Sequence, residues 1–192
     1  MGVGAHRLTA RHRSWGTAGL LVLLALLPVR EALTTTRIFF VRDLGFFFWS
    51  RHLWLRHTIF GGELPLWDPY LASGHAAYAD ALNQIFMPVT LALRLLPSDI
   101  VSFNLWVAMP LPIAMIGMLI FLRRRHPLAS SALGACAFAL SGTLVSSLNA
   151  PNLSWSLALL PWLCWAGDRL AEMPGRRSAV VQTVVAALQS LS

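Results

Sequence analysis

The stretch IVSFNLWVAMPLPIAMIGMLIFLRRRH, Ile100 to His126, decides how the rest of the chain is read. Its first 23 residues carry no charge. At about 1.5 Å rise per residue they are long enough for a hydrocarbon core of about 30 Å. The run stops at Arg123, Arg124, Arg125 and His126, a basic cluster that belongs in the cytoplasm. Composition agrees across all 192 residues: 56% are apolar, only 12% are charged, and the mean hydropathy is +0.61. A water-soluble domain carries about 25% charged residues, and half that density leaves too little polar surface to cover a globule. All fifteen basic residues are arginine and the net charge is +7. They cluster between long uncharged stretches, so the basic charge reports membrane topology and phosphate contact, not nucleic acid. Cys136 and Cys164 lie inside apolar spans, which excludes a disulfide framework.

Outward from that stretch, the chain reads as an all-α integral membrane protein with about five transmembrane helices, the last one truncated. Residues 1–14 form a basic cytoplasmic tail, and 15–33 a first span with no small-residue cleavage site, hence a retained anchor. Residues 34–99 form a long outer loop with interfacial helices. Residues 100–192 hold helices 2 to 5. The third span, Leu128 to Leu148, repeats small residues at Ser131, Ala135 and Ala139, the spacing that lets helix backbones approach in lipid. The uncharged turn Asn149 to Asn152 and a shorter span, Leu153 to Ala166, follow. Arg169, Arg176 and Arg177 come next, then Ser178 to Ser192, too short for a full crossing. Five crossings from a cytoplasmic amino terminus put the arginine clusters inside and the Asn149 to Asn152 turn outside. The segment Ile85 to Leu96 therefore reads as interfacial or re-entrant.

The outer loop and the outer end of the first span hold six of the eight acids, Glu31, Asp43, Glu63, Asp68, Asp80 and Asp99, so chemistry is expected there. Arg42-Asp43-Leu44 opens a membrane-surface helix from Leu44 to about Phe60, with arginine and aromatic side chains mixed as at a headgroup interface. Asp43 has two readings: a helix cap accepting backbone N–H bonds, or a carboxylate that takes a proton from an acceptor hydroxyl or holds a metal ion. In Gly61 to Tyr70 the two prolines force Leu64 and Asp68 into extended backbone, and the paired glycines permit a sharp turn. Trp67 and Tyr70 become available as anchors, for packing or for a saccharide pocket. Asn83 and Gln84 carry polarity onward. Arg30, Arg37, Arg42, Arg51, Arg56 and Arg94 snorkel to lipid phosphate or serve a lipid-linked phosphate donor. His52 and His57 lack metal-ligand spacing, and no structural zinc is expected.

The order Arg42-Asp43-Leu44, Gly62-Glu63-Leu64-Pro65-Leu66-Trp67-Asp68-Pro69-Tyr70, Gly74, Asn83-Gln84 and Leu95-Leu96-Pro97 resembles the bacterial YfhO-like membrane protein family. Ser141-Gly142, Asn149 and Leu160-Pro161-Trp162 extend the resemblance, which covers about Arg37 to Arg169. That family looks like C-type glycosyltransferases, and its members are several times longer, with Asn more often where Asp68 stands. The resemblance implies an amino-terminal fragment of a multi-pass enzyme of the bacterial cytoplasmic membrane. Such an enzyme moves a sugar from a polyprenyl-phosphate donor to an extracytoplasmic acceptor. By the resemblance Asp43 corresponds to the catalytic acid; Arg42, Arg51, Glu63, Trp67, Asp68, Tyr70, Asn83 and Gln84 are the candidate substrate contacts. The cofactor stays open, a divalent cation being one option. The expected partners are the lipid bilayer, the lipid-linked sugar donor and the remaining helices of a longer chain. The rival is a non-enzymatic component: a lipid-linked saccharide transporter, an assembly partner or an inactive fragment.

Overall fold

A computed structural model describes residues 16–33 and 36–192. The basic tail 1–14 and the start of the first span lie outside the described residues. The fold is mostly helical. Residues 16–26 form α1, which tightens into a 3₁₀ segment, Leu27–Ala32. Leu21, Ala25 and Val29, four apart, are buried against the core, while Leu20, Leu23 and Leu27 stay exposed on the other side.

Among the described residues two helical stretches are long and apolar enough to cross a membrane: Asp99–Leu122, of 24 residues, and Leu128–Ser147, of 20. The first is α4 (Asp99–Ala108) and α5 (Pro110–Leu122) in series. Pro110 has no N–H for the Trp106 carbonyl one turn back, and the Trp155 Nε1–H takes that carbonyl instead, at 3.0 Å. The second is α6 (Leu128–Ala139) and α7 (Gly142–Ser147). The single third span expected from the sequence thus breaks at Leu140 and Ser141, where Ser141 Oγ accepts the Leu144 N–H at 3.3 Å and restarts the helix.

The core runs along α5, which packs between α6 and α8 (Pro151–Glu172); α9 (Arg176–Leu191) lies on α8. Ser131, Ala135 and Ala139 are all fully buried, so the small-residue stripe of α6 is its packing face. α8 is longer than the Leu153 to Ala166 span read from hydropathy, because polar Asp168, Arg169 and Glu172 extend it as its last turn.

Between α1 and α4 sits an ordered cap. A π-helical turn, Leu44–Phe48, runs directly into α2 (Trp49–Phe60), matching the expected helix from Leu44 to Phe60. Gly62, at φ +80°, ends it: the Glu63 N–H reaches back to the Thr58 carbonyl at 3.1 Å. Pro65 and Pro69 then bracket β1 (Trp67–Asp68), which pairs antiparallel with β2 (His75–Ala76), Trp67 opposite Ala76 and Asp68 opposite His75. α3 (Pro88–Arg94), a helix of seven residues, lies within the segment Ile85 to Leu96.

Candidate functional site

The buried face of α2 is polar where a membrane-surface helix would be oily: Arg51, His52 and Arg56 are buried beside Leu55. Each arginine is tolerated because it finds oxygen. Arg56 Nε donates to Asp99 Oδ1 at 2.5 Å, and its Nη atoms donate to the Arg94 and Pro97 carbonyls. One guanidinium thereby satisfies carbonyls that α3 leaves free at its C-terminal end and ties them to an acid in the first turn of α4.

Arg94 is 1% exposed and has no carboxylate partner. Its Nη2 donates to the Asn83 carbonyl at 2.5 Å and Nη1 to the Gln84 carbonyl at 3.4 Å, and the guanidinium lies 5.6 Å from the Trp106 ring centroid. Burial pushes its pKa down to about 9, which leaves it charged at neutral pH. Asn83 and Gln84, expected to meet substrate, are part of this frame. Asn83 Nδ2 donates to the Ala77 carbonyl at 2.8 Å, while Gln84 Oε1 accepts the Trp106 Nε1–H at 2.9 Å and Gln84 Nε2 donates to the Ser192 carbonyl. Both are buried. Gln84 also holds a left-handed backbone, φ 46°, which turns the chain into α3.

His52 fills the space between these arginines. It is 1% exposed, lies among the rings of Trp49, Phe103 and Trp106, and neither ring nitrogen has a hydrogen-bond partner. Burial, reinforced by the charges of Arg94 and Arg56, lowers its pKa to about 2, so it is a neutral ring in this frame.

Toward the surface, Arg51 clamps the loop: its Nη2 lies 2.5 Å from Asp80 Oδ2, and its guanidinium 4.7 Å from the Phe47 ring centroid. Burial pushes the Asp80 carboxyl up. The hydrogen bonds from Arg51, the Leu82 N–H and His75, with the Arg51 charge, outweigh that and hold it below the ordinary carboxylate value. In front of this clamp is an open cleft of about 300 Å³ lined by Phe46, Arg51, Trp54, Asp68, Tyr70 and Leu71. Asp68 is buried and accepts the Tyr70 N–H at 2.9 Å, a local turn that leaves the Tyr70 ring 85% exposed. Trp67 is also exposed and lies on Gly74, where a Cβ would come within 2.8 Å of the indole.

Asp43 stands one turn before the cleft. It is exposed, makes no capping hydrogen bond and no ion pair among the described residues, and follows Arg42, whose φ of 47° puts the chain through a tight turn. That turn is wedged by Phe40, whose ring covers Gly45 so closely that a Cβ there would sit 2.4 Å away, and meets Phe46 edge-on at 5.1 Å. The cap reading of Asp43 is therefore not what the structure holds. Arg51, Asp68 and Tyr70 are brought together in one cleft; Arg42 and Asp43 share the preceding turn; Glu63 is exposed beyond the C-terminus of α2.

Sequence reasoning missed His52 and gave Arg56 and Arg94 to lipid phosphate. For His52 and Arg56 the available signal was their position among four basic side chains, Arg51, His52, Arg56 and His57, between Trp49 and Phe60. Asn104, the polar residue in the membrane-length helix, is likewise used internally, its Nδ2 donating to the Arg37 carbonyl at 2.7 Å and its Oδ1 accepting the Phe39 N–H. Among the described residues no three of His, Cys, Asp or Glu gather as metal ligands. No protein-family model, curated protein or solved structure matches this chain.

Proposed function

We propose that the chain is the membrane-anchored, outer-face portion of an enzyme that transfers sugar from a polyprenyl-phosphate donor, with five crossings and a cytoplasmic amino terminus. Two membrane-length helices support the membrane reading. In Leu128–Ser147 only 22% of the most apolar stretch is buried within the chain, and so large an apolar surface is stable in lipid, not in water. The observation that carries the catalytic part is the free carboxylate of Asp43. An aspartate at the head of a seventeen-residue helical run, Leu44 to Phe60, ordinarily spends its oxygens on backbone N–H groups; this one does not.

In the reaction, an acceptor hydroxyl attacks the anomeric carbon of the lipid-linked sugar. A carbon–oxygen bond forms there as the bond to the phosphate oxygen breaks, and the polyprenyl phosphate leaves with the electron pair. Asp43 takes the hydroxyl proton as general base. Arg42, exposed beside it, faces the departing phosphate charge. Tyr70 offers an aromatic face to the sugar in the cleft that Arg51 and Asp68 shape.

Asp43→Asn is expected to reduce sugar transfer from labelled polyprenyl-phosphate sugars by at least about a hundredfold, as for loss of a general base, without lowering membrane abundance, because no hydrogen bond of the fold depends on that carboxylate. Transfer at an unchanged rate would remove Asp43 from the chemistry.

A further inference from the structure

At the other end of Asp99–Leu122, six arginines meet two acids, and the acids are taken. Arg124 pairs with Glu172, and Arg125 Nη1 lies 2.8 Å from Asp168 Oδ2. Arg123 Nη1 donates to the His126 carbonyl at 3.1 Å. That leaves Arg169, Arg176 and Arg177 with no acidic partner among the described residues. These three line one cleft of about 580 Å³, whose remaining wall is Trp165, Val180 and Val181. Arg169 is held over the Trp165 ring, its guanidinium 5.7 Å from the centroid. α9 begins at Arg176 with no side-chain cap on its first N–H groups, which adds to the positive potential.

Height along the molecule identifies the occupant. Arg124 and Arg125 directly follow Leu122, and their ion pairs with the last turn of α8 place the cleft level with the end of the membrane-length helix, where phospholipid headgroups lie. Its chemistry is two-part: three uncompensated guanidinium groups beside an apolar wall on which Val180 is 54% exposed. A soluble anion has no use for that wall. We propose that this cleft binds an anionic phospholipid, its phosphate between Arg169, Arg176 and Arg177 and an acyl chain along Trp165, Val180 and Val181. The site is independent of the sugar-transfer reading.

The test uses the whole chain in phosphatidylcholine vesicles containing a minority of acyl-brominated phosphatidylglycerol or, separately, brominated phosphatidylcholine. The Trp165 signal is the difference between the wild type and Trp165→Phe. Quenching of that signal is expected to show roughly fivefold or greater preference for phosphatidylglycerol. The triple variant Arg169→Gln/Arg176→Gln/Arg177→Gln is expected to lose the preference, the corresponding triple lysine variant to keep most of it, and Arg123→Gln to leave it intact. Should the glutamine triple fail to insert, Arg176→Gln alone is expected to lower the preference. Equal quenching by both lipids, or an equal loss in Arg123→Gln, would overturn the site. So would abolition of the preference by inorganic phosphate at matched ionic strength, which would make the ligand a free anion.

Discussion

His52 is the residue on which the interior of the cap can be read by titration. Its pKa falls from an ordinary 6.5 to about 2 in the folded chain, through burial first and the charges of Arg94 and Arg56 second. The unfolded chain therefore binds a proton below pH 6.5 that the folded chain refuses. The stabilisation that neutral His52 contributes is complete above 6.5 and shrinks by about 1.4 kcal/mol per pH unit below it, until the folded value is reached. Thermal unfolding in detergent is expected to show no His52 contribution to pH dependence from 7.5 to 6.5 and a loss of stability from 6.5 to 5.5, which His52→Leu removes. Arg94 makes a second point at this scale. Arg94→Met matches its bulk but leaves the Asn83 carbonyl without its buried donor and Trp106 without its cation, at an expected cost of about 3 kcal/mol in equilibrium unfolding. Arginines in a chain with this hydropathy suggest lipid phosphate from sequence alone. What sequence cannot display is that the Asn83 and Gln84 carbonyls turn back onto Arg94 and that the Arg94 and Pro97 carbonyls meet Arg56. Asp43 is the opposite case, a residue whose type and position were legible while its lack of capping bonds was not.

Among the elements, α5 shows how prolines and glycines in an apolar helix are made good by tryptophans of α8. The Trp155 indole serves the Trp106 carbonyl that Pro110 leaves unpaired, and the Trp162 Nε1–H reaches the Ile113 carbonyl at 3.0 Å across Gly117. A Cβ at Gly117 would lie 2.4 Å from that nitrogen. Gly117→Ala is expected to destabilise the α5–α8 pair by about 1–3 kcal/mol. Trp162→Phe in the same chain is expected to recover part of the loss, a coupling that a double-mutant cycle in detergent would measure. Helix positions followed from hydropathy and proline placement, and the α6 face from its four-residue spacing of small side chains. The break at Leu140 and Ser141 and the length of α8 did not. Hydropathy averages over a helix end, whereas Ser141 Oγ and the ion pairs of Asp168 and Glu172 decide those ends through single bonds to partners distant in sequence.

For the whole molecule, one helix fixes the relation between the two sites. Arg56 fastens the cap to Asp99 at the start of Asp99–Leu122, and the arginine cleft sits where that helix stops. Its 24 residues span about 36 Å, a full bilayer core with a margin. In the proposed reading, the cap and the lipid cleft lie on opposite faces of one membrane, with the cap outside by the positive-inside tendency. Single cysteines test this once Cys136 and Cys164 are replaced by alanine. A membrane-impermeant maleimide added to intact cells is expected to label Ser73→Cys, in the turn between β1 and β2, and to label Met173→Cys, after α8, only once the cells are permeabilised. Labelling of both from the same side, or of Met173→Cys alone in intact cells, would contradict the placement of Asp43 at the outer surface.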